Sequence, residues 1–464
     1  MAIMDSISGE MRAELERSAR IVRGHSAIRL ISHYDADGIS AAAIVREALR
    51  RLGKELDMTI FHTLSVNEIG ITEGIDAECV VMTDMGTSYL QRLSDKGWDI
   101  VILDHHRIPA DTEIPEREGF AFVNPLSYGI DGSRNACGAS MAYLFALALD
   151  ENNTDLVPLA LSGMFGDKQH LGGFQSINKC IVDSAVENGT IERIPNLAYP
   201  SGMTFYQAIM SCPEPYLINT TGQADRVTRF VKSCELKMTD SPNSVAQGAI
   251  DRFAEELAAR MRRNGVTEEI IKETFGDRYY SPRYGLDVSE LSSILDGCGR
   301  RDAYASALEA CDTLDFTFAS VKSQEFSEKL IKAIEPAFRN MVTMENIQYF
   351  VIREKGLAGG IASAIVRYLG NPEKPVIGIT LTEEGRTDLS SRGTMHMIER
   401  GLDLSSAMNT VCAEMGGQGG GHVIAAGGTI PPGTEGEFVR RIDSFIGDQF
   451  SKNEPVRFIA YSIQ

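Results

Sequence analysis

Short apolar runs alternate with helical patterns between residue 27 and about residue 185 of the 464-residue chain. This alternation is typical of a parallel sheet with helices packed on both faces, because successive parallel strands are joined by helical crossovers. Apolar positions at three- and four-residue spacing indicate the helices. The predicted strands are 27–32, 79–83, 99–103 and 120–124, and the predicted helices are 39–52, 88–96, 137–150 and 155–164.

The alternation stops near residue 190 and resumes near residue 345, so the sequence predicts three parts. Residues 1–190 form the doubly wound α/β domain, and residues 341–464 form a smaller α/β domain. Between them, residues 191–340 are predicted to be a helical connecting region, with charged helical runs at 249–263 and 323–340. The smaller domain is predicted to contain strands at 346–352, 375–381, 387–393 and 423–430, helices at 356–370 and 404–415, and a glycine-rich loop after the second helix.

Composition is that of a soluble globular protein, with 43% hydrophobic and 23% charged residues. No run approaches the roughly 18 apolar residues that a membrane-spanning helix needs. The first residues of the chain include acidic side chains and no apolar core, which favours an amphipathic helix over a signal peptide. The eight cysteines include no CxxC pair, so we expect reduced, mostly buried thiols. These features predict a cytoplasmic protein without a membrane partner.

The net charge of −19 argues against broad binding of duplex nucleic acid, which requires many Lys and Arg contacts to phosphates. Residues 345–464 hold 11 basic and 14 acidic side chains, so most of the negative excess lies upstream. Bound divalent cations would offset part of that acidity. The sequence shows no obvious aromatic platform for base stacking. His25, His62 and His396 have no interpretable spacing, and we expect them to be surface or core histidines.

Three of the predicted strands end in acidic residues or histidine. The first leads into HYDADG at 33–38, the second into Asp84, and the third into DHH at 104–106. The carboxyl ends of parallel strands share one edge of a sheet, where ligands bind near a topological switch point. A single Asp after a strand is more often a helix N-cap than a ligand. The spaced set nevertheless predicts that these side chains converge.

Carboxylates held close together repel one another unless a cation neutralises them. Carboxylate oxygens with one or two imidazole nitrogens suit Mn²⁺ or Mg²⁺ better than a thiolate zinc site would. Two such ions, about 3.5–4 Å apart, would activate a water molecule and bind the phosphoryl oxygens of a substrate. Asp167 follows a glycine after an apolar helical run, so the backbone can turn toward the same edge. We therefore predict a centre that holds two divalent cations.

Glycines near the end of the chain form a second candidate site. Gly419, Gly420 and Gly421 would let the backbone approach a phosphate and direct N–H groups at it, and His422 would add a donor. A tight turn between a helix and a strand would explain the glycines equally well. The adjoining histidine and the second cluster at 425–428 favour substrate binding.

Together these motifs resemble the DHH phosphoesterase superfamily. DxDG at 35–38, then Asp84, then DHH at 104–106 and a Gly-Asp at 166–167 are similar to its first four motifs. GQGGGHVIAAGG at 417–428 is similar to the GGGH signature of the companion DHHA1 domain, and the stretch from residue 356 resembles the RecJ version of that domain. The resemblance implies a parallel-sheet DHH domain, a DHHA1 domain and an active site in the cleft between them.

The resemblance also implies the ligands of the two cations, expected to be Mn²⁺ or Mg²⁺. Asp84 would bridge the two ions. Asp37, His105 and Asp167 would complete one ion, and Asp35 would hold the other.

Further roles follow from the same resemblance. His106 would face the scissile phosphate, and Asp104 would support the histidines. His33 could be a ligand, a group behind the ligands or only a strand-end residue. In the DHHA1 domain, Arg392 would contact the nucleic-acid backbone, and residues 419–422 would bind substrate.

The implied activity is that of a single-strand exonuclease, expected to degrade DNA from 5′ to 3′ into mononucleotides or short products in replication or repair. The length and the long helical connection resemble the archaeal GINS-associated nucleases, which implies a GINS partner. One alternative is a phosphodiesterase of oligoribonucleotides or cyclic dinucleotides, although such chains are commonly shorter. The other is a replisome scaffold of the same family with little activity. Scaffold members lose motif carboxylates, and this chain retains them, which favours an enzyme.

Overall fold

The computed structural model describes residues 3–62, 78–109, 112–382 and 385–452. Contacts within the chain define two compact units. The first contains the chain up to Pro195 together with Asp277–Gln324, and the second contains Asn196–Gly276 and the chain from Glu325 onward. The middle of the chain is therefore shared between the units, and the domain boundaries proposed at residues 190 and 340 remain predictions.

A parallel sheet lies at the centre of the first unit, as the sequence predicted. Its strands are β1 (Ala27–His33), β2 (Glu55–Phe61), β3 (Cys79–Thr83), β4 (Asp99–Leu103) and β5 (Phe120–Val123). Their order across the sheet is β2-β1-β3-β4-β5, and all neighbouring pairs are parallel. The chain order reverses on either side of β1, so a topological switch point lies at the carboxyl ends of β1 and β3.

Strand β2 was not predicted from the sequence. This strand contains no fully buried residue, whereas every residue of β3 is buried. β2 is at the edge of the sheet and is covered less than the central strands. The continuous apolar run that marks a central parallel strand is therefore weaker there.

Helices pack on both faces of this sheet, which confirms the doubly wound arrangement. Across both units, the helices in chain order are α1 (Gly9–Arg23), α2 (Ala36–Arg51), α3 (Leu90–Ser94), α4 (Gly138–Leu149), α5 (Val157–Gly166), α6 (Ser176–Glu187), α7 (Phe205–Ser211), α8 (Ala224–Ser233), α9 (Gln247–Arg263), α10 (Glu268–Thr274), α11 (Val288–Gly299), α12 (Tyr304–Thr313), α13 (Thr317–Arg339), α14 (Ala358–Tyr368), α15 (Met395–Glu399), α16 (Leu404–Glu414) and α17 (Glu435–Ser451). One core contains α2, α4, α5 and α11, and a smaller core on the other face contains α3.

Helix α2 follows β1 directly and is buried along most of its length. Its alanines, Ala41, Ala42 and Ala43, are no more than 4% exposed, and such small side chains allow α4 and α5 to pack closely. Gly163 in α5 continues this packing, because a Cβ there would lie 2.2 Å from Oδ1 of Asp37. The close packing fixes the start of α2, which carries two of the motif carboxylates, Asp35 at the N-cap and Asp37 in the first turn.

The second unit contains a six-stranded sheet. Its strands are β9 (Val342–Thr343), β10 (Gln348–Ile352), β11 (Val376–Leu381), β12 (Thr387–Arg392), β13 (Gln418–Gly421) and β14 (Ala425–Ile430). The order is β13-β14-β12-β11-β10-β9, in which β10 and β11 pair in parallel and the other neighbours pair antiparallel. The four strands and two helices predicted for this part of the chain are all present.

The glycine-rich segment is a strand, not the loop that the sequence predicted. Residues 418–421 form β13 at the edge of the sheet and pair with β14. A Cβ on Gly419 would lie 2.2 Å from the carbonyl oxygen of Met408, and one on Gly428 would lie 2.7 Å from Sγ of Cys412. The absence of side chains therefore allows α16 to pack directly on β13 and β14.

The middle of the chain is not purely helical. Its predicted helices at 249–263 and 323–340 correspond to α9 and α13. However, the first unit also contains a small antiparallel sheet made of β6 (Glu192–Ile194), β7 (Arg278–Ser281) and β8 (Leu286–Asp287). These strands are only two to four residues long, too short to give a clear alternation in the sequence.

Within the ranges that the structure describes, no helix combines the length and the apolar character needed to cross a bilayer. All eight cysteines are free thiols, and six of them are buried, as predicted.

The end of α11 packs against the loop that follows β1, and this contact leads to a first prediction. A Cβ on Gly299 would lie 1.8 Å from the carbonyl oxygen of Tyr34. We expect Gly299→Ala to lower the free energy of unfolding by about 1–3 kcal/mol, as overpacking does, and to weaken Mn²⁺ binding because Tyr34 lies next to His33. Gly9→Ala is the control, since a Cβ at Gly9 meets nothing within 4 Å. Thermal unfolding and Mn²⁺ titration measure both effects, and a Gly299→Ala variant that matches Gly9→Ala in both would contradict the prediction.

Candidate metal centre

The carboxyl ends of β1, β3 and β4 bring the predicted acidic and histidine residues together. Two groups each offer three ligand atoms that lie within 4.8 Å of one another: the first group is His33, Asp35 and Asp84, and the second group is Asp37, His105 and Asp167. Each group combines carboxylate oxygens with one imidazole nitrogen.

Asp84 belongs to the first group and also faces His105 of the second group. Its Oδ2 lies 3.3 Å from Nδ1 of His33, and its Oδ1 lies 3.1 Å from Nε2 of His105. The residue directly follows β3 in a left-handed conformation with φ 56°, which Asp tolerates better than most side chains. Its side chain is only 2% exposed, so its charge has little access to solvent. The geometry is that of a carboxylate shared by two neighbouring sites.

His33 presents Nδ1 to the carboxylates of the first group. Its Nε2 lies 3.1 Å from the carbonyl oxygen of His62, which can only accept a hydrogen bond, so Nε2 carries the hydrogen. Nδ1 lies 3.2 Å from Oδ2 of Asp35, and it is buried without a hydrogen bond of normal geometry to any described residue. A cation placed between Nδ1 and the carboxylates would satisfy this nitrogen.

Asp35 is both the N-cap of α2 and a member of the first group. Its Oδ1 accepts a hydrogen bond of 3.0 Å from the N–H of Gly38 and caps α2. Its other oxygen faces His33. The cap fixes the carboxylate in one orientation and leaves one oxygen for the site.

His105 lies at the centre of the second group. Its Nδ1 donates a hydrogen bond of 2.7 Å to the carbonyl oxygen of Gly132. Its Nε2 therefore points at three carboxylates, 3.1 Å from Asp84, 3.5 Å from Asp37 and 3.4 Å from Asp167. A carbonyl that fixes the far nitrogen is a common support for a metal-binding histidine.

Asp37 is held by the start of α4. Its Oδ2 accepts a hydrogen bond of 2.6 Å from the N–H of Gly138, and its Oδ1 accepts one of 2.9 Å from the N–H of Ala139. The N-terminus of a helix carries unsatisfied N–H groups and a positive partial charge, so it stabilises a buried carboxylate. Its Oδ2 also lies 3.5 Å from Nε2 of His105.

Asp104 orients its neighbours. Its Oδ2 accepts hydrogen bonds from the N–H and hydroxyl of Thr87, at 2.9 and 2.6 Å. Its Oδ1 accepts from the N–H of His105 and from Nδ1 of His106, both at 2.8 Å. A fifth hydrogen bond comes from the N–H of His106, at 3.3 Å to Oδ1, so the accepting capacity of this carboxylate is fully used. Asp104 is thus better suited to position the two histidines than to bind a cation, although it lies close to Asp84 and His106.

Thr87 and Asn124 were not among the site residues predicted from the sequence. The amide of Asn124 donates to the hydroxyl of Thr87 at 3.2 Å and to the carbonyl oxygen of His106 at 3.0 Å. Asn124 directly follows β5, at the same edge of the sheet as the acidic residues. The rule that locates ligands at strand ends could have identified Asn124. Thr87 has no such signal in the sequence.

Burial and mutual repulsion govern the protonation of this edge. Burial raises the pKa of Asp37 to about 7, and the charge of Asp84 contributes to the same shift. Burial and Asp37 likewise raise the pKa of Asp167 well above its ordinary value. Burial alone would lower the pKa of His33 and of His105, but the adjacent carboxylates outweigh it and raise both pKa values. Without a cation, protons neutralise part of the negative charge.

The donor set fits divalent cations. It consists of carboxylate oxygens and the imidazole nitrogens of His33 and His105, each held by a hydrogen bond at its other nitrogen. Oxygen-rich sites with one imidazole suit Mn²⁺ and Mg²⁺. Cys137 contacts Asp37, but burial raises the pKa of this thiol well above its ordinary value, so it is a poor thiolate ligand.

The second unit brings the predicted substrate-binding residues to one end of its sheet. Arg392 is the last residue of β12 and pairs in register with Ala425 of β14. The N–H of His422 donates a 2.8 Å hydrogen bond to the carbonyl oxygen of Ala425, which closes the turn between β13 and β14. The Arg392 side chain extends over Gly359, where a Cβ would lie 2.8 Å from Nη2. The glycine therefore accommodates the guanidinium.

The raised carboxyl pKa values lead to a prediction on stability. Asp37 and Asp167 bind protons more tightly in the folded, metal-free protein than in the unfolded chain. The stability that Asp37 contributes is therefore present at low pH and is lost as pH rises through about 7, and the contribution of Asp167 is likewise lost as pH rises. We expect Asp167→Asn to lose less stability than the unmodified protein as pH rises. The melting temperature of the variant minus that of the unmodified protein should therefore be larger at about pH 8 than at about pH 5.5. Mn²⁺ should stabilise the unmodified protein more than the variant.

Thermal unfolding with and without Mn²⁺ at both pH values measures these differences. Asp183→Asn is the control, because Asp183 is half exposed and pairs with Lys179 on the surface of α6. A difference between Asp167→Asn and the unmodified protein that shrinks as pH rises would contradict the prediction.

Comparison with known proteins agrees with the motifs. The family model described as "DHH family, N-terminal domain" matches residues 27–164, and the model described as "DHHA1 domain" matches residues 346–448. An uncharacterized protein of Methanocaldococcus jannaschii is 28% identical over 439 residues, which cover 93% of this chain and 96% of that protein.

Two solved structures have a similar fold. RecJ of Thermus thermophilus, in complex with Mn²⁺, aligns with a TM-score of 0.54 and 17% identity over 94% of this chain and 55% of that one. This chain thus spans about half the length of that RecJ. CDC45 of Entamoeba histolytica aligns with a TM-score of 0.62 and 11% identity over 94% of this chain and 98% of that one. The two family models together match about half of the chain, in the order that its motifs predict. The chain therefore belongs to the DHH superfamily of phosphoesterases, with a DHH domain followed by a DHHA1 domain in a RecJ-like fold.

Proposed function

We propose that this protein is a metal-dependent exonuclease that uses two divalent cations, Mn²⁺ or Mg²⁺, to hydrolyse terminal phosphodiesters of single-stranded nucleic acid. The observation that carries the proposal is the position of Asp84, whose two carboxylate oxygens face His33 and His105 in two adjacent groups of ligand-type side chains. A carboxylate shared in this way is what a pair of neighbouring cations requires.

The chain would hold one cation with the first group and the other with the second group, and Asp84 would contribute to both. Bound there, two divalent cations would lower the pKa of a water molecule and stabilise negative charge on the phosphoryl oxygens. The hydrogen bonds to His62, Gly132, Gly138 and Ala139 hold the imidazoles and carboxylates in place before substrate arrives. Such preorganisation limits the rearrangement needed during the reaction.

His106 is the imidazole suited to contact the substrate. Its side chain is 33% exposed, whereas that of His105 is 1% exposed. Asp104 accepts the hydrogen of Nδ1, and it raises the pKa of His106 against the opposing effect of burial. A protonated His106 would donate a hydrogen bond from Nε2 to a phosphate oxygen. We propose this role for His106 and a positioning role for Asp104.

The substrate part of the proposal rests on charge and on family. A net charge of −19 disfavours extended duplex binding. RecJ of Thermus thermophilus shares the fold and binds Mn²⁺. We propose DNA as the strand, degradation from 5′ to 3′ to mononucleotides or short products, and a role in replication or repair with GINS as a partner. Arg392 and residues 419–422 would bind the nucleic-acid backbone.

A scaffold role without catalysis is the second candidate, favoured by the similarity in fold to CDC45. A protein that only holds partners together does not need a buried cluster of carboxylates, which destabilises the metal-free fold. The complete set of motif carboxylates here supports catalysis. A phosphodiesterase of dinucleotides would keep the same centre, and relative rates on a dinucleotide and on a long single strand separate it from an exonuclease.

Asp84→Asn tests the proposal most sharply. Asparagine keeps the size of the side chain and tolerates the left-handed backbone of residue 84, but it loses the charge shared by the two groups. We expect Mn²⁺-dependent hydrolysis of end-labelled single strands to fall to background, with the melting temperature of the metal-free protein maintained or increased. Single strands of DNA and RNA, labelled at either end, report polarity and substrate in the same assay.

Asp183→Asn is again the matched control and should keep full activity. Undiminished hydrolysis by purified Asp84→Asn would reject the proposed mechanism. No hydrolysis by the unmodified protein with either cation would favour the scaffold.

A further inference from the structure

An aromatic cluster lies beside the metal centre in the first unit. The rings of Tyr34 and His62 stack, with centroids 4.1 Å apart and planes inclined by 27°. His33 of the first group packs edge-on against Tyr34, with centroids 4.7 Å apart. Tyr34 therefore contacts both a candidate metal ligand, His33, and a further imidazole, His62.

His62 is exposed and yet fixed in orientation. Its side chain is 47% exposed, and its Nε2 lies 2.7 Å from Oδ1 of Asp302. The hydroxyl of Tyr304 donates to the same oxygen at 2.6 Å, and the Tyr304 ring meets His62 edge-on at 6.3 Å. Fixing an exposed side chain costs conformational entropy and buries little apolar surface. A preformed flat surface for a ligand would explain this arrangement.

The chemistry of the cluster favours a nucleobase over a phosphate. Bases stack on aromatic side chains, and this interaction tolerates any base because every base has a π-face. Asp302 is 70% exposed beside His62, so a phosphate placed on His62 would meet its negative charge. The neighbouring Arg300 guanidinium lies over Tyr34 instead, 5.8 Å from the centroid of that ring, and pairs with Asp296. The carboxylate of Asp302 can accept hydrogen bonds from the amino group of a base, and the hydroxyl of Tyr304 can contribute a further polar contact.

Nothing in the sequence pattern indicated this cluster, because its members lie in three distant segments. Tyr34 belongs to the loop after β1, His62 follows β2, and Asp302 and Tyr304 lie at the start of α12. The packing of α11 on the Tyr34 carbonyl brings these segments of the first unit together. An aromatic surface was therefore absent from the sequence pattern and present in the fold.

We propose that Tyr34, His62, Asp302 and Tyr304 form a nucleobase-binding subsite that receives the base of the terminal nucleotide while its phosphodiester lies at the metal centre. The inference rests on the proposed function and adds to it how the end of the strand is bound. The base would stack on the exposed side of His62, which Tyr34 supports from behind. The subsite would select a nucleotide over a sugar phosphate without selecting its sequence.

The test is an equilibrium titration, so it does not depend on turnover. Calorimetry with Mn²⁺ present would compare dAMP with 2-deoxyribose 5-phosphate, which is the same ligand without its base. We expect the unmodified protein to bind dAMP about tenfold more tightly, within the range of single-base stacking on an aromatic side chain. His62→Ala should lose this advantage, and His62→Phe should keep most of it.

The variants distinguish the contribution of the His62 imidazole from that of its backbone. The bond from His33 goes to the backbone carbonyl of residue 62, so it survives His62→Ala. His396→Ala is the matched control, since His396 is 45% exposed and also faces a carboxylate, 3.5 Å away on Glu373. It should bind both ligands as the unmodified protein does.

Three results would overturn the subsite: equal binding of dAMP and 2-deoxyribose 5-phosphate by the unmodified protein, an unchanged preference in His62→Ala, or an equal loss of both ligands in His62→Ala. The third result would assign His62 to the phosphate. Because no strand is cleaved in this titration, a failure of the proposed exonuclease activity would be detected separately, in the hydrolysis assay.

Discussion

Repulsion among carboxylates at one edge of a sheet is the constraint on which the rest of the first unit depends. Asp37, Asp84 and Asp167 all lie within reach of a single imidazole nitrogen of His105. The structure offsets this repulsion with helix N–H groups, with two imidazoles and, in the metal-free protein, with protons. These groups offset only part of the negative charge, and the remainder favours the binding of divalent cations between the carboxylates.

The remainder of the unit serves to hold that charge in place. α2 begins at the site and is packed so closely that Gly138 and Gly163 have no room for a side chain. Asp104 accepts hydrogen bonds from Thr87, from the backbone of His105 and from the backbone and imidazole of His106, so it positions both histidines without being one of the proposed ligands. A rigid frame of this kind suits a reaction in which positioning and electrostatics supply most of the catalysis.

The sequence predicted this centre because its members follow strands, and strand ends are visible as local patterns. The positions of these strand ends bring together four of the side chains, namely His33, Asp35, Asp84 and His105. The edge strand β2 and the short strands β6 to β8 were missed because their burial is too slight or their length too short to produce a pattern. The glycines of β13 looked like a loop because their packing against α16 depends on a distant helix. Thr87 and the aromatic cluster around His62 depend on tertiary contacts, which no spacing in the sequence encodes.

We propose that one carboxylate, that of Asp84, serves two cations. The most direct measurement is the number of Mn²⁺ ions bound per chain, by electron paramagnetic resonance during an equilibrium titration. We expect two ions for the unmodified protein, with magnetic coupling between them, one ion for Asp35→Asn, and neither ion held tightly by Asp84→Asn. A single ion in the unmodified protein, or two ions retained without Asp84, would rule out this shared role of Asp84.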